Sequence, residues 1–109
     1  MTPIVRVHLF DLEPEIAADL QNALSTLPVE TVTENPQVVF CSVEPKTLRR
    51  ALRRFPKRAV VVVSRLPEVR AWLDALEAGA ADYCAAPFES IQLNWILQNQ
   101  LGVRQAAAA

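Results

Sequence analysis

The 109-residue sequence has two glycines, two cysteines and one histidine, and each scarcity closes off a class of function. So few glycines leave no glycine-rich loop to cradle a phosphate; the turns after the strands carry prolines and acids instead. Cys41 and Cys84 sit in separate hydrophobic runs without metal-ligand spacing, so both read as small core side chains. A disulfide is not expected of them in a reducing compartment. The longest uninterrupted apolar stretch, residues 59–63, is far too short to span a bilayer. Met1, Thr2 and Pro3 lead straight into a strand-like run carrying Arg6 and His8, which is no secretory signal. The expected location is therefore the cytoplasm. The formal net charge of -1 provides no global field for nucleic acid or a membrane, so neither is an expected partner of the domain by itself.

What is present is a globular composition, 51% hydrophobic, in a chain sized for one domain and one core. Residues 4–10 form an apolar run ending at Asp11 and read as a strand. Pro14 suits the first position of a helix, with Ile16, Leu20, Ala23, Leu24 and Leu27 at helical spacing until Pro28. Residues 29–32 are a weak strand, and residues 38–43 a strong one whose near-continuous apolar run suits burial on both faces. Pro45 opens a second helix with Leu48, Leu52 and Phe55 inward, and Pro56 ends it. Residues 59–63 are the clearest strand. Pro67 starts a third helix with Val69, Leu73 and Leu76 inward and Gly79 at its C-terminal end. Residues 81–85 are a last strand, followed by a helix from Glu89 to about Leu101. Strands alternating with helices indicate a parallel sheet covered on both faces. Residues 1–104 are expected to form the domain; residues 105–109 read as a tail, a linker or an expression remnant.

Between the second and third strands there is no room for a helix. If the two flank the first strand, a return along a strand plus a sideways step is on the order of 18 Å, or about six extended residues. Residues 33–37 supply five. The second strand must then be very short, displaced to the edge or differently paired. The absent helix would also uncover apolar sheet surface, an interaction site by default. His8 and Phe10 share one face of the first strand. His8 reads as a hydrogen-bonded core histidine, or as part of an interface if that face is the uncovered one.

Four segments in order carry a family resemblance: residues 10–14 (Phe-Asp-Leu-Glu-Pro), 36–42 (Pro-Gln-Val-Val-Phe-Cys-Ser), 60–64 (Val-Val-Val-Val-Ser) and 76–88 (Leu-Glu-Ala-Gly-Ala-Ala-Asp-Tyr-Cys-Ala-Ala-Pro-Phe). Over about residues 4–101 the chain resembles the receiver domain of two-component response regulators, most specifically in the last segment. The resemblance implies a flavodoxin-like, doubly wound parallel sheet of about five strands in the order 2-1-3-4-5, here with the helix between strands 2 and 3 absent. It also implies a phosphorelay corner at the strand ends. There, two acids hold magnesium, an aspartate accepts a phosphoryl group, and a hydroxyl and a lysine bind its oxygens.

This chain keeps Asp11 but has Leu12 at the second acid, Ser42 at the acceptor, Ser64 at the hydroxyl position and Ala86, before Pro87, in place of the lysine. Magnesium requires several oxygen ligands in octahedral geometry, and a serine without an adjacent base is a poor nucleophile. The expectation is a degenerate phosphoacceptor, with no metal, no cofactor and no enzymatic activity. Glu13 is the one residue placed to restore part of a metal site.

Three surfaces then remain as candidates. Tyr83 and Ser64 match the family's switch positions, and Trp72 and Trp95 lie on helices flanking the last strand, either capping the core or anchoring a protein interface. Lys46, Arg49, Arg50, Arg53, Arg54, Lys57 and Arg58 form one stripe, by default a solvated helix face, otherwise a contact for phosphates or an acidic partner. The uncovered sheet is the third. The reading is a phosphorylation-independent, receiver-like regulatory domain of a longer bacterial signalling protein, acting by homodimerisation or docking to a protein partner or output domain. The alternatives are a small-ligand or nucleotide sensor at the C-terminal ends of the strands and a nucleic-acid contact through residues 46–58.

Overall fold

The structure, a computed structural model, describes residues 4–66 and 68–108, the last six by backbone alone. The elements in chain order are β1 (Val5–Phe10), α1 (Pro14–Leu24), β2 (Val29–Thr31), β3 (Val38–Ser42), α2 (Pro45–Arg54), β4 (Ala59–Ser64), α3 (Val69–Ala78), β5 (Asp82–Ala85) and α4 (Ser90–Ala108). The five strands are all parallel, in the order β2-β1-β3-β4-β5. Pro67, the expected start of the third helix, lies outside the described residues. Helix α4 continues through residues 105–108, assigned to the tail by the sequence, where alanine, the strongest helix former, makes up the run.

Alternation along the strands sorts side chains between two cores. Val7, Val38, Phe40, Val61, Val63 and Cys84 face α1 and α4, meeting Leu20, Leu24, Leu93, Ile96 and Leu97. Val39, Cys41, Val60, Val62 and Tyr83 face α2 and α3, meeting Leu48, Ala51, Phe55 and Ala75. Both cysteines lie inside these cores. Burial pushes the Cys41 thiol up to about 12 and, with help from the Asp82 charge, the Cys84 thiol to about 11, as expected of core packing groups.

The short link between β2 and β3 is resolved by register. Thr31, the end of β2, and Val38, the start of β3, both pair with Val7 of β1. The chain therefore crosses sideways by two strand spacings, roughly 10 Å, without returning along a strand. Residues 32–37 make that crossing in bends, anchored to both sides of β1 by Val32 N–H on the Val7 carbonyl and Gln37 N–H on the Arg6 carbonyl. The 18 Å requirement assumed strands in level register, and β2 is instead three residues long and slipped toward the start of β1.

The face of β1 beside this crossing is not an apolar opening. Its positions are Arg6, His8 and Phe10, with Glu30 paired to Arg6 on β2. Phe55 packs on His8 and Phe10, and the Arg50 guanidinium lies over Phe10. His8 Nδ1 donates to the Val32 carbonyl 2.8 Å away; a carbonyl only accepts, so this nitrogen carries the proton. The hydrogen-bonded reading of His8 holds.

The third helix reverses the expected polarity. Val69 and Leu73 are 64% and 52% exposed, Leu76 is 38% exposed, and Ala75 is the buried residue of α3. Ala71, Ala75 and Ala78 have the same helical spacing as the larger apolar row and line the groove against α2. Of this row Ala75 is buried, Ala71 half-buried and Ala78 exposed, and the bulky row is left outside.

Candidate functional site

The C-terminal ends of the strands bring together every residue of the expected corner. Phe10 pairs with Cys41, Ser42 with Val63, and Ser64 with Ala85, so Asp11, Leu12, Ser42, Ser64 and Ala86 emerge side by side from neighbouring strands. Asp11 turns the chain with a left-handed φ of 53°, a conformation aspartate tolerates better than most residues. The Ala86–Pro87 peptide is cis.

The groups in this corner are already committed to one another. Arg50, reaching across from α2, forms an ion pair with the Asp11 carboxylate. Arg65, just past β4, pairs with Glu15 of α1 at 2.6 Å. The Ser42 hydroxyl accepts the Glu44 N–H at 3.1 Å. Leu12 is half-buried against the α1–α4 core, its side chain unable to act as a ligand. Glu13 is exposed at the start of α1 without a capping bond. Among the described residues no group of three histidine, cysteine or carboxylate side chains is arranged to hold a metal ion. The residues present do not fit a magnesium site: one carboxylate, held by a guanidinium, stands where an octahedral oxygen set is required.

Ser64 and Tyr83, the expected switch positions, are also linked. Ser64 Oγ donates to the Leu66 carbonyl at 3.0 Å and accepts the Leu66 N–H at 3.1 Å. The Tyr83 hydroxyl donates to that same carbonyl at 2.9 Å. Its ring is buried and stacks on Trp72, with centroids 5.1 Å apart. Ser64, Tyr83 and Trp72 therefore form one chain of contacts from the corner to the surface of α3. Trp95, 62% exposed on α4, does not cap the core. Ile91 is exposed on the same helix, and Leu66, Val69, Leu73 and Leu76 are exposed on α3 and just before it, so the helices on either side of the edge strand β5 both carry exposed apolar side chains.

Lys46, Arg49, Arg50, Arg53 and Arg54 lie on the outside of α2, over the buried Leu48 and Ala51, and Lys57 and Arg58 follow in the turn after Phe55. The helix is held at its start by Glu44, whose carboxylate accepts from the Thr47 hydroxyl (2.8 Å) and from the N–H groups of Lys46 and Thr47. Sequence reasoning missed this cap. The Glu-Pro pair at 44–45 repeats the one at 13–14, yet only the second has a threonine three residues on to hold its side chain. These bonds, the Thr47 hydroxyl first, hold the Glu44 carboxyl below its ordinary 4.5. A lowered acid stabilises the fold above its unfolded value and loses that contribution as pH falls through the folded one. Glu44→Gln is expected to lower the melting temperature at neutral pH, with the gap from the parent closing as the solution is acidified below 4.5. A pH series of thermal melts checks this, and a gap constant with pH refutes it.

No helix among the described residues is long and apolar enough to cross a membrane. No protein-family model and no curated protein sequence matches the chain. Solved structures do. NtrX from Brucella abortus superposes with a TM-score of 0.82 at 19% identity over 97% of this chain, which spans 29% of that chain. A response regulator receiver domain protein from Clostridium thermocellum gives 0.78 at 16% identity, covering 94% of this chain and 98% of the other. The beryllofluoride-activated DrrB receiver domain gives 0.71 at 22% identity, covering 92% and 99%. By strand order and by likeness along nearly its whole length, this chain has the fold of the response-regulator receiver domains.

Proposed function

We propose that this chain is a regulatory receiver-like domain of a bacterial, cytoplasmic signalling protein that works without phosphorylation, by docking through the α3–β5–α4 face to a second copy of itself. It acts as a binding module and not as an enzyme. The observation that carries the reading is the make-up of the corner, where Leu12, Ser42 and Ala86 stand at the strand ends beside Asp11, itself paired with Arg50. Phosphoryl transfer needs a carboxylate nucleophile and compensating positive charge from metal and lysine. Here the nucleophile, the second acid and the lysine are all replaced. What remains is the Ser64–Leu66–Tyr83–Trp72 linkage, which fixes one arrangement of the α3 face. Exposed large apolar side chains on the two helices flanking β5 support a protein contact there.

Incubation with acetyl phosphate, or with beryllofluoride and magnesium, tests the claim. The expected result is no adduct by mass spectrometry and no change in tryptophan fluorescence. A stoichiometric adduct overturns it.

A further inference from the structure

Residues 46–58 contain seven of the chain's eleven cationic side chains and no acid, leaving four cations against twelve acids elsewhere. The near-neutral total thus conceals a strongly polar molecule. At physiological salt, charges separated by more than about 8 Å are largely screened, so a partner on α2 responds to the local cations. We propose that the outer face of α2 is a docking surface for the phosphate backbone of nucleic acid, independent of the corner and of the α3–β5–α4 face.

The partner's class follows from what the ridge lacks. A protein interface is normally organised around buried apolar or aromatic anchors. On this ridge, between Lys46 and Arg58, the exposed side chains are cationic except Pro56. A phosphate backbone needs no such anchor; it is bound by cations in a regular series, and guanidinium forks match phosphate oxygens. Arg49 and Arg53, one helical turn apart and exposed, make no ion pair among the described residues. Arg54 is held over the Phe55 ring, 5.0 Å from its centroid. At its C-terminal end the ridge runs into a hollow of about 420 Å³, lined by Arg54, Lys57 and Arg58 together with Asn35, Pro36 and one acid, Glu34. The apolar anchors lie instead on α3 and α4, so a pair of copies joined there leaves both ridges available.

Fluorescence anisotropy of a labelled DNA duplex with the 109-residue chain tests the proposal. If about four phosphates are neutralised, affinity is expected to fall on the order of 100-fold between about 50 and 200 mM salt. Arg49→Glu with Arg53→Glu should lower affinity at least tenfold and reduce the salt slope by about two. Arg49→Gln with Arg53→Gln gives a smaller loss in the same direction and serves if the glutamate pair fails to fold. Absence of binding at low salt overturns the proposal, as does binding that neither pair alters. Equal, Arg49- and Arg53-dependent affinity for polyglutamate also overturns it, in favour of an acidic protein.

Discussion

A chain carrying Leu12→Asp, Ser42→Asp and Ala86→Lys is expected to take up beryllofluoride in the presence of magnesium, and the natural sequence is expected to take up none. The three positions are neighbours at the ends of β1, β3 and β5, set there by the Phe10–Cys41, Ser42–Val63 and Ser64–Ala85 pairings. Substitution supplies ligands and charge to a backbone frame already in register, and Asp11 and Ser64 need no change. The Arg50–Asp11 pair is not the main obstacle. Its two side chains are 52% and 55% exposed, and such pairs contribute at most about 1 kcal/mol. Arg50→Ala alone is therefore expected to leave the chain silent, because one carboxylate still cannot satisfy the ion. Added to the triple substitution, it should tighten magnesium binding by removing a competing cation. Leu12→Asp sacrifices partial packing against the α1–α4 core, costing about 1–2 kcal/mol, which a domain of this size tolerates. Trp72 is the reporter, since its ring stacks on Tyr83, whose hydroxyl shares the Leu66 carbonyl with Ser64. A folded triple variant that shows neither adduct nor fluorescence change refutes the idea that this corner retains receiver geometry.

How far the sequence disclosed this arrangement depended on whether each feature is written in local order. Residues 59–63 and the prolines at 14, 45 and 56 set strands and helix limits by local chemistry, and those elements are where they were expected; α1, however, ends at Leu24, before Leu27 and Pro28. The inward face of α3 was not legible. Val69, Leu73 and Leu76 make an apolar row, but Ala71, Ala75 and Ala78 make a second at equal spacing, and periodicity cannot rank them. In the fold it is Ala75 that joins Leu48 in the core, and the bulky row stays outside. The slip of β2 was likewise invisible, because three residues with mixed polarity carry no register signal of their own. Arg50 and Asp11 are 39 residues apart, and one arginine among seven adjacent cations gave no sign that it alone crosses to the corner.

That exposed row carries the other large expected effect: Leu73→Glu is expected to abolish the proposed self-association. Leu73 is 52% exposed and absent from both cores, so its replacement leaves the monomer fold intact. Trp72 is a poorer choice because it also stacks on Tyr83. In a two-fold symmetric pair each residue is used twice, so a charge placed in the apolar centre acts on both halves of the interface. A central contact contributes about 2 kcal/mol or more, and two of them come to about 4 kcal/mol, close to a thousand-fold in Kd. Trp95→Ala, at the same face but on α4, should weaken association in the same direction. Arg49→Gln with Arg53→Gln, on α2, should leave it unchanged. Sedimentation equilibrium over a range of concentrations separates these outcomes. A parent chain that stays monomeric at about 100 μM, where even a weak pair of roughly −6 kcal/mol would be visible, rules out a second copy as the occupant of this face. Association that survives Leu73→Glu unchanged would move the contact off α3, since no apolar interface accommodates two buried, unpaired carboxylates at its centre.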